Sequence, residues 1–455
     1  MTIIGSKLYY RVIPCRGIVT AAIVLTSFII GPQFAQAAAG DLDPTFGSGG
    51  MVTTDINRST DIANAVAIQA DGKLIVVGQT YKNNDYSNED FVVTRYNTDG
   101  TLDNTFGSGG RVRTDFPGLA AVPSSVIIQP DGKIVVAGGA FPTFTFRGNF
   151  EVVRYNPNGS LDRSFGNGGI VTTTFPEGSY AFDVALQSDG KIIAAGTVFV
   201  DFIPGEPSNT DFALARYNPD GTPDATFGSG GQVSTDFVGM EDDAFSVLIQ
   251  PDGKIVAVGS ANDPATYYNF AAVRYLSNGV VDTTFGVAGK VTTDFGVGGF
   301  DRAQSAALQP DGRIVAAGFA ISQNGGVQNF AVARYTSSGV LDTTFSRDGI
   351  TQIDFGSCCQ SAYEVLLQSD GKIITVGYAN TESSDSDFLL ARLNPRGSLD
   401  ATFGVGGKVR TSFGDLNGGA NGAALQSDGK IVAVGFQATF SNQWTNFALA
   451  RYLSQ

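Results

Sequence analysis

Short stretches in which apolar residues alternate with polar ones, or run β-branched without a break, follow one another along most of this chain and are cut by turn residues. Residues 121–175 show the pattern. Ala121 to Gln129 ends in alternating apolar positions, and Asp131-Gly132 reads as the pair of φ > 0 residues of a two-residue hairpin turn. Lys133 to Ala137 is β-branched and apolar, with Gly138-Gly139 as its stop. Phe150 to Tyr155 reads as a third strand, Asn156-Pro157-Asn158-Gly159 as a turn, and Ile170 to Phe175 as a fourth strand. No stretch sustains a helical period. The expected unit is a four-stranded antiparallel meander.

That unit is written seven times. Its Asp-Gly turn recurs at Asp71, Asp131, Asp189, Asp252, Asp311, Asp370 and Asp428, at spacings of 60, 58, 63, 59, 59 and 58 residues. Repeated small sheets must stack to bury their faces, and a four-stranded β unit repeated this often suits a β-propeller. A β-helix has shorter coils and no need of hairpins. The phase of the repeat adds a prediction. Met51 to Ile56 matches a fourth strand, whereas Phe447 to Tyr452, near the end, matches a third. The N-terminal strand should therefore complete the sheet begun by Ala420–Gln426, Lys430–Gly435 and Phe447–Tyr452, removing the open edges. The fold expected is all-β: a single seven-bladed propeller over residues 40–455.

The segments QPDGKIVVAG (129–138), FALARYNPDG (212–221) and DTTFGVAGKVTTDF (282–295) resemble the bacterial delta-60 repeat proteins, and the resemblance runs over essentially the whole repeat region. It implies a propeller and export, and brings no activity with it.

Residues 1–39 hold Lys7, Arg11 and Arg16, no acidic residue, and a mostly apolar run from Gly17 to Ile30. Ala35-Gln36-Ala37 or Ala37-Ala38-Ala39 offers small residues for cleavage, so the segment reads as a secretory signal peptide. The apolar run is short of the roughly 20 residues of a membrane span. The expected protein is a monomer, secreted, periplasmic or on the cell surface of a bacterium, with no membrane span in its mature form.

Composition narrows the chemistry. Past the leader, 26 basic residues face 43 acidic ones, a net charge of −17 that argues against nucleic acid as a partner. The chain has no His, which removes the commonest general base and zinc ligand. Cys358 and Cys359 are adjacent, and read as a local loop feature, whether thiols or a strained disulfide. The FGSGG turns lack the Lys and helix of a phosphate cradle. Asn97-Thr98-Asp99-Gly100 places Gly too early for an EF-hand. No cofactor is expected, calcium near Asp242 and Asp243, or near Asp385 and Asp387, being the one option left open.

Residues present in every copy read as structural. Arg95, Arg154, Arg216, Arg274, Arg334, Arg392 and Arg451 share a strand face with apolar residues, and an unpaired buried charge is costly. Asp43, Asp103, Asp162, Asp224, Asp282, Asp342 and Asp400 are their expected partners. The Phe that follows each Asp, from Phe46 to Phe403, reads as a wedge between blades.

Function is then expected where the copies differ. The loops between second and third strands bring Tyr81, Tyr86, Phe144, Tyr267, Tyr268 and Trp444, and the loops entering the first strands bring Asp61, Asp242, Asp301 and Arg302 toward the channel rim. In propellers these loop sets share a face. Two readings follow: a non-catalytic scaffold that offers this face to an extracellular protein or glycan, or a carbohydrate-active hydrolase or lyase working through rim carboxylates such as Asp61, Asp242 and Asp301.

Overall fold

The computed structural model describes residues 37–455 apart from 57, 83–84, 143–146, 201–208, 238–239, 297–298, 322–325, 380–385, 415–416 and 439–443, together with the side chains of 82 and 85–88. The expected signal peptide falls almost wholly outside the described residues. Among those residues the regular elements are strands, 28 of them, and no helix is long and apolar enough to cross a membrane. They form seven antiparallel four-stranded sheets, the blades of a β-propeller.

Blade 1 runs through Asp61–Ile68, Leu74–Lys82, Asp85–Tyr96 and Arg111–Thr114, and each later blade repeats that order from the inside outward. Blade 7 has Gly418–Leu425, Ile431–Ala438 and Thr445–Tyr452, and its outer strand is Met51–Thr54 from the other end of the chain. The closing register pairs Met51 with Ala450 and Thr54 with Phe447. The sequence-derived closure is thus observed. It also begins earlier than the strand: the Asp43 amide donates to the Arg451 carbonyl at 2.8 Å.

The repeated polar residues build one device seven times. Each third-strand Arg places Nε 2.8–2.9 Å from an Asp, the one eight residues later in six copies, from Arg95–Asp103 to Arg392–Asp400, and Asp43 at the other end of the chain for Arg451. The Lys or Arg after each Asp-Gly turn reaches the same carboxylate, as Lys430 does Asp43 at 3.0 Å. The guanidinium lies 4.4–4.8 Å above the following Phe, so its flat face is covered by a ring. Its Nη1 donates to a turn carbonyl of the next blade: Arg95 to Pro157, Arg154 to Pro219, and so on to Arg451, which reaches Thr98 of blade 1. The expected pairing holds, and it joins blades as well as pinning a loop. The Phe residues are wholly buried; Phe106, for example, packs among Ile75 and Val77 of blade 1 and Ile134 and Val136 of blade 2.

Three local expectations need correcting. The hairpin turn uses three residues, Pro130-Asp131-Gly132: the Gln129 amide donates to the Lys133 carbonyl, and Gly132 alone takes a positive φ, of 82°. Fourth strands are four residues long and stop at Thr54 and Thr173, not at Ile56 and Phe175. The Gly pair at 138–139 does not end its strand, which continues to Phe141.

The first of those glycines has another task. Each first strand carries a β-bulge at one place, after Ala63, Pro123, Ala181, Ala244, Ala303, Ala362 and Ala420. Opposite every bulge stands a second-strand glycine. A Cβ there would sit 1.8–2.1 Å from a first-strand carbonyl oxygen, as at Gly78, Gly138, Gly196, Gly259, Gly318, Gly377 and Gly435. The bulge turns two successive side chains to the same side, toward the axis.

Candidate functional site

The seven first strands surround an axial cavity of about 510 Å³ lined by residues of every blade. The bulges supply its walls. One belt consists of Asn64, Ser124, Phe182, Phe245, Gln304, Tyr363 and Asn421; the next of Ala65, Ser125, Asp183, Ser246, Ser305, Glu364 and Gly422. The backbone is the same seven times, yet these side chains differ from blade to blade.

Three members of the second belt accept an amide from the first strand of the next blade. The Val247 amide donates to Asp183 Oδ2 at 2.8 Å, the Ala306 amide to Ser246 Oγ at 3.2 Å, and the Val365 amide to Ser305 Oγ at 3.2 Å. A serine suffices for this, so the two carboxylates go beyond the structural need. Asp183 Oδ1 also accepts from Ser125 Oγ at 2.7 Å and the Val184 amide at 2.8 Å. Glu364 Oε1 accepts from Ser305 Oγ at 2.7 Å and its neighbour's amide at 3.1 Å. Burial lifts both pKa values against these hydrogen bonds, and the Asp183 charge adds to the rise that takes Glu364 to about 7. The aromatic part of the wall is continuous, with Tyr180 4.8 Å from Phe182 and Phe182 4.7 Å from Phe245, while Tyr363 stacks on Tyr378 at 5.1 Å.

The two variable loop sets meet on one face, as expected: the Asp301 amide donates to the Tyr268 carbonyl, and the Tyr81 amide to that of Thr60. There the structure brings Arg302 and Tyr268 together. The Arg302 guanidinium lies 5.1 Å from the Phe245 ring, 5.5 Å from Tyr268 and 5.7 Å from Phe300, and 3.8 Å from the Asp243 carboxylate. Tyr267 stands 61% exposed at the hairpin tip with a left-handed φ of 59°. Tyr81 is buried and Trp444 partly buried. Phe144 and the Tyr86 side chain lie outside the described residues.

Asp61, Asp242 and Asp301 occupy a different place from the rim expected of them. Each is fully buried, and its carboxylate holds the loop that joins two blades, accepting from the Ile56, Phe237 and Phe295 amides respectively. The reason is strand alternation: Asp61 and Asp242 are the first residues of their strands and Asp301 immediately precedes its own, so their side chains take the opposite side from the next residues, Asp243 and Arg302 among them. Burial raises Asp61 and Asp242 to about 7 and Asp301 to about 6.

A cation-capable group also lies between blades. Asp211, Asp236 and Asp242 bring carboxylate oxygens within 4.8 Å of one another. In blades 1 and 6 the Asp equivalent to Asp211 faces an arginine, Asp90 meeting Arg113 and Asp387 meeting Arg410, but blade 3 has Ser234 at that position. Asp243, named with Asp242 as a calcium option, turns instead to Arg302, and Asp385 lies outside the described residues.

These carboxylates predict a pH profile. Burial pulls the repeated Asp residues upward, but the hydrogen bonds of the next Thr or Ser, the Lys and the Arg outweigh it and leave Asp43, Asp162 and Asp400 at about 2. The unfolded chain binds more protons than the folded one between about pH 4 and 2, so stability falls with acid there. For Asp61, Asp242 and Asp301 the folded state keeps the proton, and stability falls as pH climbs from about 4 to 7. Thermal melts from pH 2 to 8 should peak near pH 4–5; a Tm still rising at pH 7 would contradict this assignment.

Against known proteins, six segments match the Domain of unknown function (DUF5122) beta-propeller: 69–106, 129–165, 187–227, 250–285, 309–345 and 368–403. The chain belongs to a β-propeller repeat family of unknown function. Each matched segment runs from the end of a first strand to the Phe under the Arg, so it spans the repeated device and omits the bulged lining. The seventh copy is split between Gln426–Tyr452 and Asp43–Phe46 by ring closure. No curated protein matches. Solved structures similar in fold include a catalytically inactive variant of virginiamycin B lyase from Staphylococcus aureus, 11% identical over 88% of this chain and 98% of that one, TM-score 0.43. A polysaccharide lyase PL25 ulvan lyase is 12% identical over 87% and 95%, TM-score 0.48. Puromycin hydrolase is 14% identical over 90% of this chain and 56% of that one, TM-score 0.47. At these scores none of them bears on function.

Proposed function

We propose that this protein is an exported binding scaffold whose loop face and axial cavity take a carbohydrate. The observation behind this reading is the divergence of the two bulge belts on an invariant backbone. Residues repeated seven times hold the ring together, whereas those facing the axis have no structural reason to differ. Their chemistry suits a sugar: aromatic faces at Tyr180, Phe182 and Phe245, amides at Asn64, Gln304 and Asn421, and serine hydroxyls, in a cavity of ligand size. Binding of the mature protein to a glycan array, with and without calcium, tests it. The Phe182→Ala variant should bind at least roughly tenfold more weakly, as expected of a lost aromatic anchor, and Trp444→Ala reports whether the outer loops take part. No binding under any condition would move the reading to a protein partner.

One observation favours a second reading, a carbohydrate-active hydrolase. Asp183 and Glu364 share the cavity, and a carboxyl titrating at about 7 is suited to act as general acid near neutral pH. Release of reducing ends by the wild type and its loss in Glu364→Gln would establish it.

Export itself makes a prediction. Ala39 is buried, its carbonyl accepts the Gly404 amide at 2.8 Å, and the Ala38 amide donates to Asp41. Cleavage after Ala37 keeps these contacts and cleavage after Ala39 removes them. N-terminal sequencing of the exported protein should therefore read Ala38-Ala39-Gly40; a start at Gly40 would show that the contacts are dispensable.

A further inference from the structure

We propose that the sugar taken by the axial cavity is an amino sugar whose free ammonium group pairs with Glu364; this rests on the carbohydrate reading above. Among the described residues the cavity lining contains Asp183 and Glu364 and no Lys or Arg, so this part of the wall carries two acidic groups without a counter-cation in the lining. The two are not equivalent. Both oxygens of Asp183 are engaged, by Ser125 Oγ, the Val184 amide and the Val247 amide. Glu364 anchors one oxygen to Ser305 Oγ and the Val365 amide, and among the described residues nothing donates to Oε2. The anchored oxygen fixes the side chain, and the other is left as an acceptor on the axis.

A neutral sugar would leave that acceptor with a hydroxyl partner at best. An ammonium group supplies a charge-assisted hydrogen bond in a region of low dielectric, where such bonds are strongest. The surrounding rings favour the same charge, because the faces of Phe182, Phe245 and Tyr363 are electron-rich and attract cations. The mouth, by contrast, holds a guanidinium already matched to Asp243 and boxed by Phe245, Tyr268 and Phe300. With its charge met by Asp243, that guanidinium offers a cation no acceptor, so selectivity for the ammonium rests on the belts. Glu364 and Asp183 are titratable groups of the belts, and both favour the cationic ligand over its acetylated form.

Calorimetric titration of the full mature protein at pH 7 separates the possibilities, using β-1,4-linked diglucosamine, N,N′-diacetylchitobiose and spermidine as probes. Diglucosamine should bind at least tenfold more tightly than the diacetyl form, and Glu364→Gln should remove most of that difference. The substitution keeps the shape and the anchoring hydrogen bonds, so its Tm should match or exceed that of the wild type. Equal binding of the two sugars, or a preference that survives Glu364→Gln, overturns the ammonium pairing and leaves the carbohydrate reading standing. Spermidine binding as tightly as diglucosamine overturns the sugar part. If neither disaccharide binds while a neutral glycan is retained on the array, this inference alone fails; if nothing is retained on the array either, both fail.

Discussion

A chain that begins at Asp55, without residues 40–54, should show no cooperative unfolding transition and should aggregate at concentrations where the parent stays soluble. The deletion removes the outer strand of blade 7, leaving the Thr445–Tyr452 strand with an open edge, a template for pairing with other chains. It takes away Phe46, wholly buried between blades 7 and 1, a loss in the range of about 3–5 kcal/mol for a core Phe→Ala change. It also removes Asp43 and strands the Arg451 guanidinium, and breaking such a buried pair from one side costs a further ~3–5 kcal/mol. Together these approach the whole stability of an ordinary domain, about 5–15 kcal/mol. A permutant in which residues 40–60 follow Gln455 should recover the transition, because the Gly40 amide already donates to the Leu453 carbonyl at 2.8 Å. Circular dichroism melts of the three chains decide the matter. A deletion variant melting within a few degrees of the parent would mean that closure is ornamental.

The second large effect is expected from a single methyl group. Gly259→Ala puts a Cβ 1.8 Å from the Asp243 carbonyl oxygen and 3.0 Å from Ala244 Cα. The obstacle is backbone on both counts, so no rotamer change relieves it. Ordinary overpacking costs about 1–3 kcal/mol, and a clash that must move a strand should reach or exceed the top of that range. Gly253→Ala is the control. It sits in the turn before the same strand at φ 82° with nothing within 4 Å of the added carbon, and should cost only the ~1–2 kcal/mol of a left-handed non-glycine residue. Urea unfolding of both variants gives the comparison. Equal destabilisation would show that the bulge tolerates a side chain opposite it, and the account of these seven glycines would be wrong.

Those glycines also explain what the sequence does and does not disclose. Blade number, closure and the Arg–Asp pairing could be read because each rests on a residue type repeated seven times at one spacing: Arg451 announces its partner because six other arginines have theirs eight residues downstream. The lining escapes such reading for a geometric reason. Period-two counting assigns Phe182 and Asp183 to opposite faces, and only the bulge turns both toward the axis. The opposite omission places Asp61, Asp242 and Asp301 at the rim: taken as loop residues they point to the channel, whereas alternation from the strand start sends them into the joints between blades. Attention to long loops compounds it, since the variable positions that line the cavity lie in mid-strand. A signal was present all the same. When the seven copies are aligned, two adjacent columns after a near-invariant Ala hold Asn-Ala, Ser-Ser, Phe-Asp, Phe-Ser, Gln-Ser, Tyr-Glu and Asn-Gly. Such scatter inside an otherwise constant strand is what a wall facing a ligand would look like.

The guanidinium that sits in one blade and ends on a carbonyl of the next makes every joint in the ring the same local handshake, blind to how many joints there are. Duplication or loss of one 60-residue unit in the gene would leave every remaining handshake intact, including the one made across the chain ends. What would change is the girth of the axis and the cast of side chains around it. A ring one unit larger or smaller would thus use the same contact at every joint, at a changed angle between blades, and would differ chiefly in the bore of its cavity.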